Sequence, residues 1–266
     1  MKPDEARCKD WPQNTQLGLG TAWWGRIPPL QLPRRIDSLV QVCEKLGIGF
    51  VDTAQTYARG WAQRLVRYAM VRHPTWRPLV ATKIALHPWP EQQVDGVDSF
   101  TRWPRVFKRD ARDIASRVKR AASQLGSNSI DAVLLHNPPS TYFRQRAPWL
   151  NLKSAADRLG ISKIGLSSDS LVDFDLVPTF FSHLVLQISA THFIEQNTVL
   201  SELAKTRRTV MVVNRVTDVG ARVSDAFLRL LEQDFRPDIA LIGTTRPERL
   251  LEVAALLQSV QGQQDD

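Results

Sequence analysis

Four side chains able to move protons stand directly behind short apolar runs in this sequence. Asp52 follows Phe50-Val51, with Tyr57 five residues further on. Lys83 ends Leu79-Val80-Ala81-Thr82-Lys83, and His136 follows Ile130-Asp131-Ala132-Val133-Leu134-Leu135. Each has a modest explanation: Asp52-Thr53 can cap a helix, Tyr57 can be a half-buried aromatic, Lys83 can be solvated and His136 packed. Short motifs are weak when taken singly. Together they are a carboxylate, a phenol, an ammonium and an imidazole on three successive strand ends. Parallel α/β proteins place acid–base chemistry at such ends.

The elements around them alternate. Strands read at Leu17–Thr21, Phe50–Val51, Leu79–Lys83, Ile130–Leu135, Ile161–Ser167, Leu184–Ser189, Thr209–Val213 and Asp238–Ile242. Helical spacing reads at 33–46, 61–72, 111–125, 148–159, 199–206, 221–233 and 247–260, with a short helix after Ser167. Gly47 and Gly126 stop the first and third helices. The stretch from Ala85 to Phe107, rich in Trp and Pro, reads as one long loop of the functional kind. Sustained strand–helix alternation implies a parallel sheet. Some eight units of about thirty residues fit a single-domain α/β (β/α)8 TIM barrel better than a doubly wound sheet. No Gly-x-Gly-x-x-Gly turn joins a first strand to its helix. The expected organisation is an N-terminal extension over 1–15, the barrel over 16–260 and a tail over 261–266.

Composition narrows the class. With 266 residues, 43% hydrophobic and 23% charged, the chain reads as an ordinary soluble globular protein. Met1-Lys2-Pro3-Asp4-Glu5 lacks an apolar signal core, and no apolar run is long enough for a membrane span. Two cysteines, Cys8 and Cys43, fit a reducing compartment, so the expectation is cytoplasmic, without a membrane partner. No metal site is expected. The net charge of +8 is dispersed over predicted outer helix faces, Arg117 among them, which argues against nucleic acid and suits an anionic cofactor or substrate.

At this point the sequence resembles the aldo-keto reductases. Asp52-Thr53-Ala54-Gln55-Thr56-Tyr57 looks like that family's Asp-Thr-Ala-x-x-Tyr, and Thr82-Lys83 and Leu134-Leu135-His136 fall where its Thr-Lys and Leu-Leu-His segments fall. Leu17–Thr21, Ile164-Gly165-Leu166-Ser167, Gln187 and Ile242-Gly243-Thr244-Thr245-Arg246-Pro247-Glu248-Arg249-Leu250 support the match, which runs in order from about residue 16 to 258. The resemblance implies reduction of an aldehyde or ketone. Such a reaction needs a hydride on carbon and a proton on oxygen, and no side chain supplies a hydride. Tyr57 would be the general acid. Lys83 would stabilise its phenolate, Asp52 would hold Lys83, and His136 would hydrogen-bond the carbonyl oxygen.

The cofactor residues are likewise implied by resemblance. Ser167, Ser168 and Gln187 fall where the family holds the nicotinamide amide, while Gly20, Thr21, Ala22 and Asp52 also fall at its cofactor contacts. Gly243, Thr244 and Thr245 precede a helix, a place suited to phosphate. Arg246 and Arg249 would meet the 2′-phosphate of NADPH, preferred here over NADH, and Glu252 the adenine amino group. Substrate-facing candidates are Trp23, Trp24, Trp89, Trp103 and Asn137, for a small, moderately apolar carbonyl compound. A monomer is expected.

The departures from the family pattern are specific. Ala58 stands where Gly is common, and Trp61-Ala62-Gln63 replaces a segment with an acidic residue. Ser168 replaces a usual Asn, Val253 an Asn beyond the adenine contact, and Val213-Asn214-Arg215 the aromatic that many members stack on nicotinamide. These keep open two other readings: a barrel redeployed for non-redox acid–base chemistry, such as a lyase or cyclase step, and a nucleotide-binding regulatory protein with little turnover.

Overall fold

A computed structural model of the chain describes residues 11, 16–85, 111–126, 129–138, 146–168, 184–220 and 222–262. Eight strands close into one parallel barrel in chain order: β1 (Gln16–Gly20), β2 (Phe50–Ala54), β3 (Leu79–Ile84), β4 (Ala132–His136), β5 (Lys163–Ser167), β6 (Val185–Ser189), β7 (Val210–Asn214) and β8 (Ile239–Gly243). β1 pairs with β8 to shut the sheet, with Gly20 opposite Gly243. The (β/α)8 expectation holds.

Helices α1 (Leu32–Lys45), α2 (Trp61–Arg72), α3 (Ala111–Leu125), α4 (Arg146–Asp157), α5 (Ala190–Glu195), α6 (Asn197–Arg207), α7 (Val223–Leu231) and α8 (Pro247–Gly262) are the described helices between and after the strands. Their apolar stripes explain them. On α1, Ile36, Leu39, Val40 and Cys43 recur at helical spacing and are buried, and the chain turns away at Gly47 with φ +66°. α5 is absent from the sequence reading, which carried one helix after β6. Ser189 starts it, its hydroxyl accepting from the His192 amide at 3.4 Å. The short helix read after Ser167, the loop from 86 to 107, Trp89 and Trp103 lie outside the described residues.

Strand alternation sorts the side chains into two cores. Outward residues such as Val51, Val80, Val133, Leu166, Ile188 and Val213 pack under the helices. Inward residues Phe50, Leu79, Ala132, Leu134, Val185, Val212 and Leu241 fill the lower interior. Gly18 leaves room for them: a Cβ there would lie 2.6 Å from Leu241 Cδ2 and 2.8 Å from Ile239 Cγ2. Trp11, the described residue of the expected N-terminal extension, packs edge-on against Phe50 at 6.0 Å and beneath the Lys163 ammonium at 5.3 Å. It closes the floor of the barrel. Two carboxylates at the same end tie neighbouring strands: Asp131 accepts from Val80 N at 2.8 Å and Asp238 from Met211 N at 2.7 Å.

Two sequence expectations change here. Arg117 is no solvated outer-face residue; it is 9% exposed and donates to Asp113 at 2.8 Å. Trp24, expected against substrate, is 0% exposed within the outer core, so it packs the scaffold instead of lining the mouth.

Candidate active site

The upper inward positions of the same alternation are polar. They carry Asp52 at the middle of β2, Lys83 next to the end of β3, Gln187 at the middle of β6, and His136, Ser167 and Asn214 as the last residues of β4, β5 and β7. The period of two that fills the floor with leucine and phenylalanine therefore also aims these groups into one mouth. Gly20 and Gly243 complete the ring without side chains; a Cβ on Gly20 would sit 3.3 Å from Gly243 Cα.

Asp52 is the hub. It is 3% exposed and forms a tight hydrogen-bonded ion pair through Oδ1 with Lys83 Nζ, itself 1% exposed. Gln187 Nε2 donates to the same Oδ1 at 2.9 Å, and Ser167 Oγ donates to Gln187 Oε1 at 2.6 Å. Tyr57 Oη donates toward Asp52 Oδ2 at 3.5 Å, and Lys83 Nζ lies 4.9 Å from the centre of the Tyr57 ring. A buried pair of charges is tolerated only with such additional hydrogen bonds. Thr21 fixes the backbone of the hub, its amide and its hydroxyl each donating to Asp52 O at 3.0 Å.

Tyr57 is not on a strand; it opens a 3-10 turn, Tyr57–Gly60, just past β2. The next three residues all have positive φ: Ala58 +48°, Arg59 +57° and Gly60 +83°. Left-handed backbone at two non-glycine residues is strain of the kind that collects at functional sites. The turn leads into α2, where Gln63, in place of the family's acidic residue, is fully buried and donates to Thr82 Oγ1 at 2.7 Å.

His136 faces Tyr57 edge-on, ring centres 6.1 Å apart at 89°. Burial, then the Lys83 ammonium and the Arg215 guanidinium, push its pKa down to about 3, although the residue keeps partial exposure. The imidazole is therefore neutral at ordinary pH. Thr56 Oγ1 lies 3.4 Å from Nδ1. A hydroxyl donated there leaves the ring proton on Nε2, available to an oxygen in the mouth.

The other predicted residues are placed as follows. Ser168 is 3% exposed, and its amide donates to Gln187 O at 3.0 Å. Thr244 is 2% exposed, and its hydroxyl pairs with the backbone of Arg246, donating to O at 3.2 Å and accepting from N at 2.9 Å. Ala22 and Thr245 are partly buried, whereas Arg246, Arg249 and Glu252 are exposed at the start of α8. Trp23 lies beside Gly243, where an added Cβ would meet its indole at 3.2 Å, and carries Arg26 at 4.1 Å over its ring. Asn137, at φ +39°, follows His136 and donates its amide to Ser167 O at 2.7 Å. Three features escaped the sequence reading: the Gln187–Asp52 bond, the electrostatic reach of Arg215, and Asn214, whose buried Oδ1 has no hydrogen-bond partner among the described residues. Strand parity on β7 was the available signal for Asn214.

A closed eight-stranded barrel with this mouth belongs to a recognisable class. Residues 16–214 match the aldo/keto reductase family, so the chain is a member of that family of carbonyl oxidoreductases. No curated protein matches the chain. Among solved structures, a Pseudomonas aeruginosa protein assigned to the aldo-keto reductases is similar at 22% identity and TM-score 0.66, over 90% of this chain and 88% of its own. A Klebsiella pneumoniae aldo/keto reductase in complex with NADP and acetate is similar at 15% identity and TM-score 0.64, over 91% and 85%. The glycerol dehydrogenase of Gluconobacter oxydans is similar at 17% identity and TM-score 0.66, over 90% and 85%. At these identities the structures speak for the fold.

Proposed function

We propose that this protein reduces aldehydes or ketones with NADPH, with Tyr57 as the general acid. The observation carrying the reading is the Asp52–Lys83–Tyr57 cluster beside a neutral His136 at the mouth of a family barrel. A carbonyl oxygen between Tyr57 Oη and His136 Nε2 receives two donors. His136 polarises and orients it, and the phenol passes its proton as charge develops there. The Lys83 ammonium then stabilises the negative charge left on the phenol oxygen, and Asp52 keeps that ammonium in place.

The residues present fit a nicotinamide dinucleotide. Gly20 and Gly243 present bare backbone beside Trp23, and the buried Asn214 Oδ1 is an acceptor that a carboxamide N–H would satisfy. When bound, such a cofactor supplies the hydride. Gly20, Thr21 and Ala22 would border it, with Ser167, Ser168 and Gln187 toward the nicotinamide amide. Gly243, Thr244 and Thr245 would receive phosphate, Arg246 and Arg249 the 2′-phosphate that distinguishes NADPH from NADH, and Glu252 the adenine. These last assignments lie beyond the segment that matches the family. Trp23 and Asn137 would border the substrate. We read the protein as a cytoplasmic monomer acting on a small carbonyl compound, with neither nucleic acid nor membrane as partner.

One observation favours a non-redox reading: Ser167 and Gln187 already spend hydrogen bonds on each other and on Asp52. Titration with NADPH and NADH followed by tryptophan fluorescence separates the two. Micromolar NADPH binding, NADPH-dependent loss of 4-nitrobenzaldehyde, and abolition of that reaction in Tyr57→Phe with binding retained support the reductase. Failure to bind either nucleotide would overturn it.

A further inference from the structure

The turn that carries Tyr57 is fastened to β3 on both sides and to α3 from behind. Before the turn, the Gln55 backbone amide extends the β2–β3 ladder, donating to Lys83 O at 3.1 Å. Beyond it, Gln63 on α2 donates through Nε2 to Thr82 Oγ1 at 2.7 Å. The two anchors fall on successive residues of β3, one of them the lysine whose ammonium lies 4.9 Å from the Tyr57 ring centre. Helix α3 holds the same turn: Gln55 Nε2 donates to Arg117 O at 2.7 Å, and Gln124 packs on Gly60, where an added Cβ would lie 2.9 Å from Nε2. Thr56, which precedes the turn, has its hydroxyl beside His136 Nδ1 and makes no side-chain cap. Gln55, Gln63 and Gln124 are all buried. Buried carboxamides cost desolvation that leucine would not, and what they add is direction.

We propose that Gln55 and Gln63 are positioning residues for the Tyr57 phenol, holding its turn on α3 and β3 so that the hydroxyl stays within reach of Asp52 and Lys83. This rests on the reductase reading. Both side chains act through the turn between them. Proton transfer demands close placement, and a displacement of about 1 Å costs on the order of 100-fold in rate. Gln63 in place of the family's acidic residue then has a use. An ionised carboxylate only accepts hydrogen bonds, whereas the carboxamide gives Thr82 Oγ1 a donor without adding a buried charge.

The test measures kcat and KM for 4-nitrobenzaldehyde, and NADPH affinity, in the full chain and its Gln55→Leu, Gln63→Leu, Thr82→Val and Thr82→Ser variants, with urea titration reporting the stability of each. Loss of either side-chain tie should lower kcat about 10- to 100-fold, with KM and NADPH affinity within about twofold. Thr82→Ser, which keeps the hydroxyl, should retain the rate that Thr82→Val loses. Gln63→Leu combined with Thr82→Val should be no slower than the worse single variant, because both remove the same bond. Fluorine NMR of protein labelled with meta-fluorotyrosine gives an arm independent of turnover: the chain has three tyrosines, and Tyr57→Phe assigns the signal concerned. That signal should move in Gln55→Leu, Gln63→Leu and Thr82→Val and keep its place in Thr82→Ser. A signal that stays put in all of them would overturn the proposal whatever the turnover, leaving the carboxamides as scaffold. So would equal rates in Thr82→Val and Thr82→Ser, or additive losses in the double variant. A signal that moves as expected in a protein whose wild type reduces no aldehyde would keep the positioning role and sink the reductase reading.

Discussion

Gln187 on β6 donates a 2.9 Å hydrogen bond to Asp52 Oδ1 on β2, across the barrel interior and 135 positions away in the chain. With Ser167 behind it, the amide forms a relay that holds the hub carboxylate through the same oxygen that Lys83 engages. Replacing Gln187 with Leu leaves Ser167 and Asp52 each short of a buried partner, a cost of about 1–3 kcal/mol. Thermal melts and urea titrations should show that loss together with a fall in kcat. A drop in NADPH affinity at unchanged stability would make Gln187 a cofactor contact and nothing more.

Lys83 is bound to the fold by charge as well as to the chemistry. Lys83→Met removes the ammonium and strands the Asp52 carboxylate in the interior, and breaking such a pair costs about 3–5 kcal/mol. Adding Asp52→Asn removes the stranded charge, so the double variant should be more stable to urea than Lys83→Met. Equal stabilities of the single and double variants would show that the ion pair does not govern folding.

Ala58 stands at φ +48° in the turn that presents Tyr57, and an added Cβ on Gly25 would lie 2.3 Å from the Ala58 Cβ. Glycine adopts this backbone without steric cost, so Ala58→Gly should stabilise the protein by about 1 kcal/mol. Gly25→Ala should destabilise it, and Ala58→Gly should rescue most of that loss by removing the clashing methyl. Additive effects in the double variant would separate the two sites.

His136 sets one limit on acid stability. Its pKa falls from 6.5 to about 3 on folding, chiefly by burial and then through Lys83 and Arg215. Between those values the unfolded chain binds a proton that the folded chain does not, so stability declines as pH drops below 6.5 toward 3. Urea midpoints from pH 7 to pH 4.5 should fall less steeply for His136→Asn than for wild type. Parallel slopes would mean that the imidazole titrates alike in both states.

Fold and site differ in how far local sequence announces them. Apolar runs ending before Asp52, near Lys83 and before His136, with helical spacing between, implied the alternating barrel and three of its four candidate groups directly. Tyr57 followed from the motif, although the left-handed turn that presents it carries Ala58 and Arg59 in place of the glycine that signals such geometry. Trp24 was misplaced because an indole beside a strand end reads alike whether it turns to the mouth or under a helix.

By itself the sequence determined the strand–helix repeat and the placing of Asp52, Lys83 and His136 on three successive strands, since these follow from apolar runs and periods of about 3.6 residues read locally. Only the tertiary structure decided that Gln187 supports Asp52 and that the Arg215 charge reaches His136. Those relationships exist because closing β1 on β8 brings the ends of distant strands round one mouth. A barrel's cross-mouth distances are a property of closure, which no local stretch of chain encodes.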